Sequence, residues 1–111
     1  MAQDDIQFEE KGKNDWTVLA VKGRIDTITA EEAEQKGKDV LAAVQKLAID
    51  FSELEYISSA GLRVLLRLAK KAKAENKEYV IVGAKGLVKE VMAISGMNML
   101  FKILNSCDDL N

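Results

Sequence analysis

Histidine is missing from the chain, and cysteine occurs once, at Cys107. Ser–His and Cys–His nucleophile pairs, imidazole acid–base chemistry and the usual zinc sites are thereby excluded. A lone cysteine cannot build an internal disulfide framework, which fits a reducing, cytoplasmic setting. Proline is also absent, as suits short connections. No apolar run reaches the roughly 20 residues of a membrane-spanning helix. The start Met1-Ala2-Gln3-Asp4-Asp5 is acidic with no apolar stretch behind it, so no secretory signal is expected. The net charge of −2 leaves no clustered excess of Lys and Arg for nucleic acid or an anionic membrane. Acidic residues are scattered without a D-x-D cluster, so neither a metal nor a cofactor is expected.

What is present suits one globular domain over residues 1–111. Nearly half of the residues are apolar and about a third are charged, enough for a core without staples. Ile6 and Phe8 alternate with Gln7 and Glu9, as in a half-buried strand. Lys11 to Asp15 reads as a turn and Trp16 to Lys22 as the second strand of a hairpin. Thr29-Ala30-Glu31-Glu32 fits a capping box, opening a helix to about Lys46 with Ala33, Gly37, Val40, Leu41 and Val44 inward. Leu47 to Phe51 is a buried strand, followed by a polar turn. A helix from about Ala60 carries Leu62, Leu65, Leu66, Ala69 and Ala72 on one stripe, widened by Val64 and Leu68.

Asn76-Lys77-Glu78 ends that helix, and Tyr79 to Val82 is another strand. A short helix follows with Leu87, Val88, Val91 and Met92 inward, and Gly96 as its C-terminal cap. Met97, Met99, Leu100, Phe101, Ile103 and Leu104 should return to the core, with a solvated tail from Asn105. The expected order is β-β-α-β-α-β-α-β, an α/β fold with a mixed, mostly parallel sheet.

Chemistry gathers where the strand ending at Phe51 passes into the Ala60 helix. Ser58 and Ser59 sit at a helix start, where unpaired N–H groups and the helix dipole favour oxygen ligands. A hydroxyl there serves as a cap, a ligand or a modification target, and all three readings stand. Ala60 and Gly61 keep the site open, and a glycine in a first helical turn suggests close backbone approach. Asp26 with Thr27 leaves a neighbouring strand. In a parallel sheet the loops after Lys22 and Phe51 open at one edge, the usual functional edge of such sheets. Arg63 stands one turn above Ser59 and can pair with a phosphate or an acidic partner; with Arg67, Lys70 and Lys71 it also reads as a plain solvated face. Gly83-Ala84-Lys85-Gly86 is too short for a nucleotide loop of the Walker kind.

Three segments resemble the STAS family of bacterial anti-sigma-factor antagonists and sulfate-transporter tails. Gly23-Arg24-Ile25-Asp26-Thr27-Ile28-Thr29-Ala30 is similar to its G-x-[LI]-D-x-x-[TS]-A segment. Asp50 to Leu62 resembles its D-[LF]-S-x-[LV]-x-[YF]-[IM]-[DS]-S-[SAT]-G-L signature. Ile94-Ser95-Gly96 with Leu100-Phe101-Lys102-Ile103 resembles the closing segment, Met97 replacing the usual Leu. The resemblance implies a cytoplasmic partner switch that is not itself an enzyme. Its unphosphorylated form binds an anti-sigma factor, a GHKL-type serine kinase, and so frees the sigma factor. Phosphorylation of Ser59 switches it off, and a PP2C-type phosphatase resets it. The partner surface carried over is Asp26, Thr27, Ser58, Ala60, Gly61, Leu62 and Arg63. Ser58 stands where the best-known antagonists carry Asp. Two other classes remain: a STAS module in a sensory or lipid-transport assembly, and a small nucleotide- or ligand-binding domain.

Overall fold

Alternation along the strands decides which side of the sheet each residue serves. Leu19, Leu47, Ile49, Tyr79 and Ile81 join the core under the helices, while Trp16, Val18, Ala48, Val80 and Val82 form a second cluster on the opposite face. The computed structural model describes residues 6–110. Its strands are β1 (Ile6–Lys13), β2 (Trp16–Ile25), β3 (Lys46–Asp50), β4 (Leu54–Ile57), β5 (Glu78–Val82) and β6 (Lys102–Leu104). The helices are α1 (Ala30–Ala43), α2 (Ser59–Ala74) and α3 (Gly86–Ile94), with 3-10 turns at Met97–Met99 and Cys107–Asp109. The sheet runs β1-β2-β3-β5-β6, antiparallel only between β1 and β2.

The α/β class and mostly parallel sheet are those expected, with one strand more. Leu54-Glu55-Tyr56-Ile57, read as a turn, forms β4. It pairs in parallel with the far end of β2 through Gly23↔Leu54 and Ile25↔Ile57, while the near end pairs with β3. Four residues with a charged Glu55 are too short to show a period, so pairing with a long neighbour decides the conformation.

Other boundaries move for local reasons. β1 continues through Lys11-Gly12-Lys13 because Asn14, at φ 56°, turns the hairpin in two residues. α1 stops at Ala43 rather than near Lys46, since Val44 is already extended and Lys46 opens β3, paired with Glu78 of β5. Gly37 lets α1 and α2 meet: a Cβ there would lie 2.6 Å from Leu68 Cδ1. Tyr79 Oη donates to the Leu65 carbonyl at 3.1 Å, tying α2 to β5. Burial raises the pKa of that phenol far above its ordinary value.

Three residues expected inward, Leu87, Met99 and Leu100, are more than half exposed, because α3 and the following turn bury Val88, Met92 and Met97 and pack Val91 partly against the core. The tail is not solvated throughout. Leu110 is only 5% exposed and closes the second face over Trp16, Val18, Ala48, Val80 and Val82. Asn14 Nδ2 donates to its carbonyl at 3.2 Å, and a capping box between Ser106 and Asp109 shapes the approach. One apolar residue after two aspartates gives no periodic signal. Cys107 is half-buried, and burial, followed by the nearby Asp50 carboxylate, pushes its thiol pKa up.

Candidate functional site

The parallel strands β2 and β4 end side by side, and the Ser58 amide donates to the Ile25 carbonyl at 2.8 Å. The loop into α1 and the start of α2 therefore share one edge. They meet after Ile25 and Ile57, one pairing step later than the Lys22 and Phe51 exits expected from the sequence. That extra step is β4.

At the α1 side the chain folds a tight turn around one carboxylate. Asp26 Oδ1 accepts from the amides of Ile28 at 2.9 Å and Thr29 at 3.0 Å. The Thr29 hydroxyl accepts from the Asp26 amide at 2.9 Å and lies 2.9 Å from the Arg24 carbonyl and 3.2 Å from Asp26 Oδ1. Thr29 holds the cap position, yet its side chain makes no cap bond to the helix, so the Thr29–Glu32 capping box does not form. Asp26 takes that work because its carboxylate reaches the amides before the helix begins. The Thr29 amide and then that of Ile28 hold its carboxyl below the ordinary carboxylate range, against the effect of burial. Arg24 lies over the Tyr56 ring at 4.5 Å, with Nε 3.9 Å from Asp26 Oδ2. Asp26 is thus mainly engaged with its own loop, Thr27 is exposed beside it, and Ile28 is held outward at 85% exposure.

At the α2 side the two serines separate. Ser58 is the N-cap, extended at φ −93° and ψ 176°, and its Oγ accepts from the Gly61 amide at 3.3 Å. Ser59 is the first helical residue and exposed, and no hydrogen bond engages its hydroxyl among the described residues. Gly61 is buried: a Cβ would lie 2.6 Å from Ile57 Cγ1 and 2.8 Å from Ile25 Cγ2. Its expected part in the partner surface gives way to packing, because α2 must approach β2 and β4 this closely. Leu62 also packs partly against the core.

Arg63 is exposed, and no carboxylate lies within ion-pair distance of it among the described residues. Arg67 instead binds Glu34 at 2.9 Å across to α1. A groove of about 270 Å³ between the two helices is lined by Thr27, Glu31, Glu34, Ala60, Arg63 and Arg67. Asp26, Thr27, Ser58, Ser59, Ala60 and Arg63 therefore occupy one edge. Ile28 was not singled out by sequence; the clue was its place between Asp26 and Thr29, where an aspartate-centred turn directs a side chain out.

The Gly83-Ala84-Lys85-Gly86 loop lines a separate cavity of about 590 Å³ with the buried Asp50 at its wall. Asp50 accepts from the Ser52 amide at 2.9 Å, and a buried carboxylate there disfavours a phosphate. Among the described residues no group of three His, Cys, Asp or Glu side chains is placed to hold a metal ion. No described helix is long and apolar enough to cross a membrane.

The model of the STAS domain matches residues 6–110. The chain belongs to the STAS family. The domain is 34% identical over 90 residues to BtrV of Bordetella bronchiseptica, a provisionally named anti-sigma factor antagonist, across 80% of this chain and 78% of BtrV. It is 27% identical to the anti-sigma-F factor antagonist RsfB of Mycobacterium tuberculosis, across 97% of this chain and 88% of RsfB. The crystal structure of an anti-sigma factor antagonist from Mycobacterium paratuberculosis superposes with a TM-score of 0.87 at 28% identity, covering 97% of this STAS domain and 92% of that chain.

Proposed function

We propose that this STAS domain is an anti-sigma-factor antagonist switched at Ser59. Unphosphorylated, it binds an anti-sigma factor that is also a GHKL-type serine kinase and so releases the sigma factor. Phosphorylation of Ser59 ends the binding, and a PP2C-type phosphatase restores it. The names of its relatives support the general role. The observation that carries the switch is the division of labour at the helix start. Ser58 is spent on the cap, while Ser59 is exposed and its hydroxyl has no hydrogen bond among the described residues. A phosphate there adds about −1.5 to −2 charges and a large hydrated group, which opposes docking without requiring the fold to change.

Asp26 shapes the neighbouring loop, while Thr27, Ala60 and Arg63 with the outward Ile28 supply the contact surface. The amides of Ile28 and Thr29 are both bonded to Asp26, so the backbone that carries this apolar side chain loses little freedom on binding, which suits an anchor. The domain acts by binding rather than by catalysis. The test is incubation with ATP and the anti-sigma kinase captured by the unmodified protein, then mapping of the phosphate by mass spectrometry. Label on Ser59, with binding lost in Ser59→Asp, is the expected result. An unlabelled Ser59 together with full binding by Ser59→Asp would overturn the reading.

A further inference from the structure

The chain contains three arginines, and they are differently engaged. Arg24 lies on Tyr56 and beside Asp26, and Arg67 is bound to Glu34. Arg63 has no carboxylate partner among the described residues. It also stands four residues after Ser59 on α2, so the two side chains are neighbours on one helical face, with Cβ atoms about 5–6 Å apart. Both are exposed. Glu34, across the groove on α1, is bound by both Lys38 at 3.3 Å and Arg67 at 2.9 Å, which leaves Arg63 free of it. Glu31 on α1 shares the groove, while Arg24, at the end of β2, has its Nε 3.9 Å from Asp26 Oδ2.

We infer that Arg63 is an internal clasp for a phosphate on Ser59, folding over it along the same helical face. The inference rests on the reading of Ser59 as the modified residue. A guanidinium offers paired donors to phosphate oxygens and stabilises the more highly charged form. The second proton of phosphoserine leaves near pH 6, so an unassisted phosphate is a mixture of charge states around neutrality. The clasp shifts the off-state toward the dianion and gives the modified monomer a partner of its own. Arg63 thereby has two roles: contact residue in the free protein and counter-ion in the phosphorylated one.

The experiment uses the full chain with phosphoserine genetically encoded at position 59, so it depends on no kinase. A 31P NMR titration against pH follows the phosphate in this protein and in its Arg63→Gln, Arg63→Lys and Arg67→Gln variants. Arg63→Gln is expected to raise the apparent second pKa by about 0.3–0.7 unit. Arg63→Lys keeps the charge but not the fork and should give a smaller rise, while Arg67→Gln should leave the curve in place. Superimposable curves for the parent and Arg63→Gln, or an equal rise in Arg67→Gln, would overturn the clasp. Either failure leaves the phosphate-mapping test of Ser59 untouched, so the two readings are separately decided.

Discussion

Helices α1 and α2 begin at the same edge of the sheet, yet their first turns are satisfied in different ways. At α1 the acceptor is Asp26, placed before the helix, and the cap-position hydroxyl of Thr29 turns back toward the strand. Every polar group with a described bond in that turn is committed to local structure. At α2 the cap comes from Ser58 through one bond of 3.3 Å, and the adjacent Ser59 hydroxyl is left over. A residue the fold does not need is the one that can be modified without unfolding the protein. The α1 start is a rigid surface, and the α2 start is a rigid surface with a free handle.

The largest effect should come from the position under the handle. Gly61→Ala forces a Cβ to within 2.6 Å of Ile57 and 2.8 Å of Ile25, both buried side chains with little room to yield. Overpacking of this kind costs about 1–3 kcal/mol, read as a lower urea midpoint. If Gly61→Ala were as stable as the parent, the two helix starts would differ less in packing than the distances indicate.

Next comes the α1 turn. Asp26→Ala removes an acceptor for two backbone amides, so it should lower the thermal midpoint more than loss of the single Ser58 cap bond. The effect should depend on pH. The folded carboxyl pKa lies below its unfolded value, so the group contributes stability above about pH 4, and that contribution is lost as pH falls through the folded pKa. The gap between parent and Asp26→Ala should therefore narrow in acid. A constant gap from neutral to strongly acidic pH would mean that the ionised carboxylate is not what holds the turn. Ser58→Ala should follow with a cost of about 0.5–1 kcal/mol, toward the low end for a cap because the bond is long. A negligible cost there would mean that α2 is held by packing alone.

These comparisons also show which parts of the molecule were legible in the sequence. Long periodic segments such as α2, and nearly all-apolar strands such as β5, announce themselves because burial imposes a period. β4 did not, since its four residues become a strand only beside the far half of β2. The Leu110 seal was hidden for the same reason: its partners lie on strands remote in sequence. At the site, Ser58 and Ser59 could be located but not told apart by residue type alone. Backbone conformation separates them: Ser58 is extended and caps, while Ser59 is the first helical residue and lies on the exposed side. Gly61 was visible as an oddity in a first helical turn, and the backbone approach it suggested is the one found. Its expected exposure was not, because the sequence does not show which way that face turns.

The smallest effect on folding, and the largest on binding, should fall at Ser59. Its hydroxyl engages nothing among the described residues, so Ser59→Ala should change stability by no more than about 0.5 kcal/mol. Ser59→Asp places a carboxylate in the first turn of α2, where the helix dipole favours it by about 0.3–1 kcal/mol at low ionic strength. It should therefore melt at or slightly above the parent while binding the anti-sigma factor at least tenfold more weakly, a difference of about 1.4 kcal/mol in binding. Ser59→Ala should bind normally and resist phosphorylation. Stability and binding must then move independently at Ser59, whereas at Gly61 and Asp26 they move together. Calorimetric melting and binding titration of Ser59→Ala, Ser59→Asp, Gly61→Ala and Asp26→Ala distinguish the cases, and a Ser59→Asp protein that lost binding only in proportion to lost stability would make this serine another structural residue.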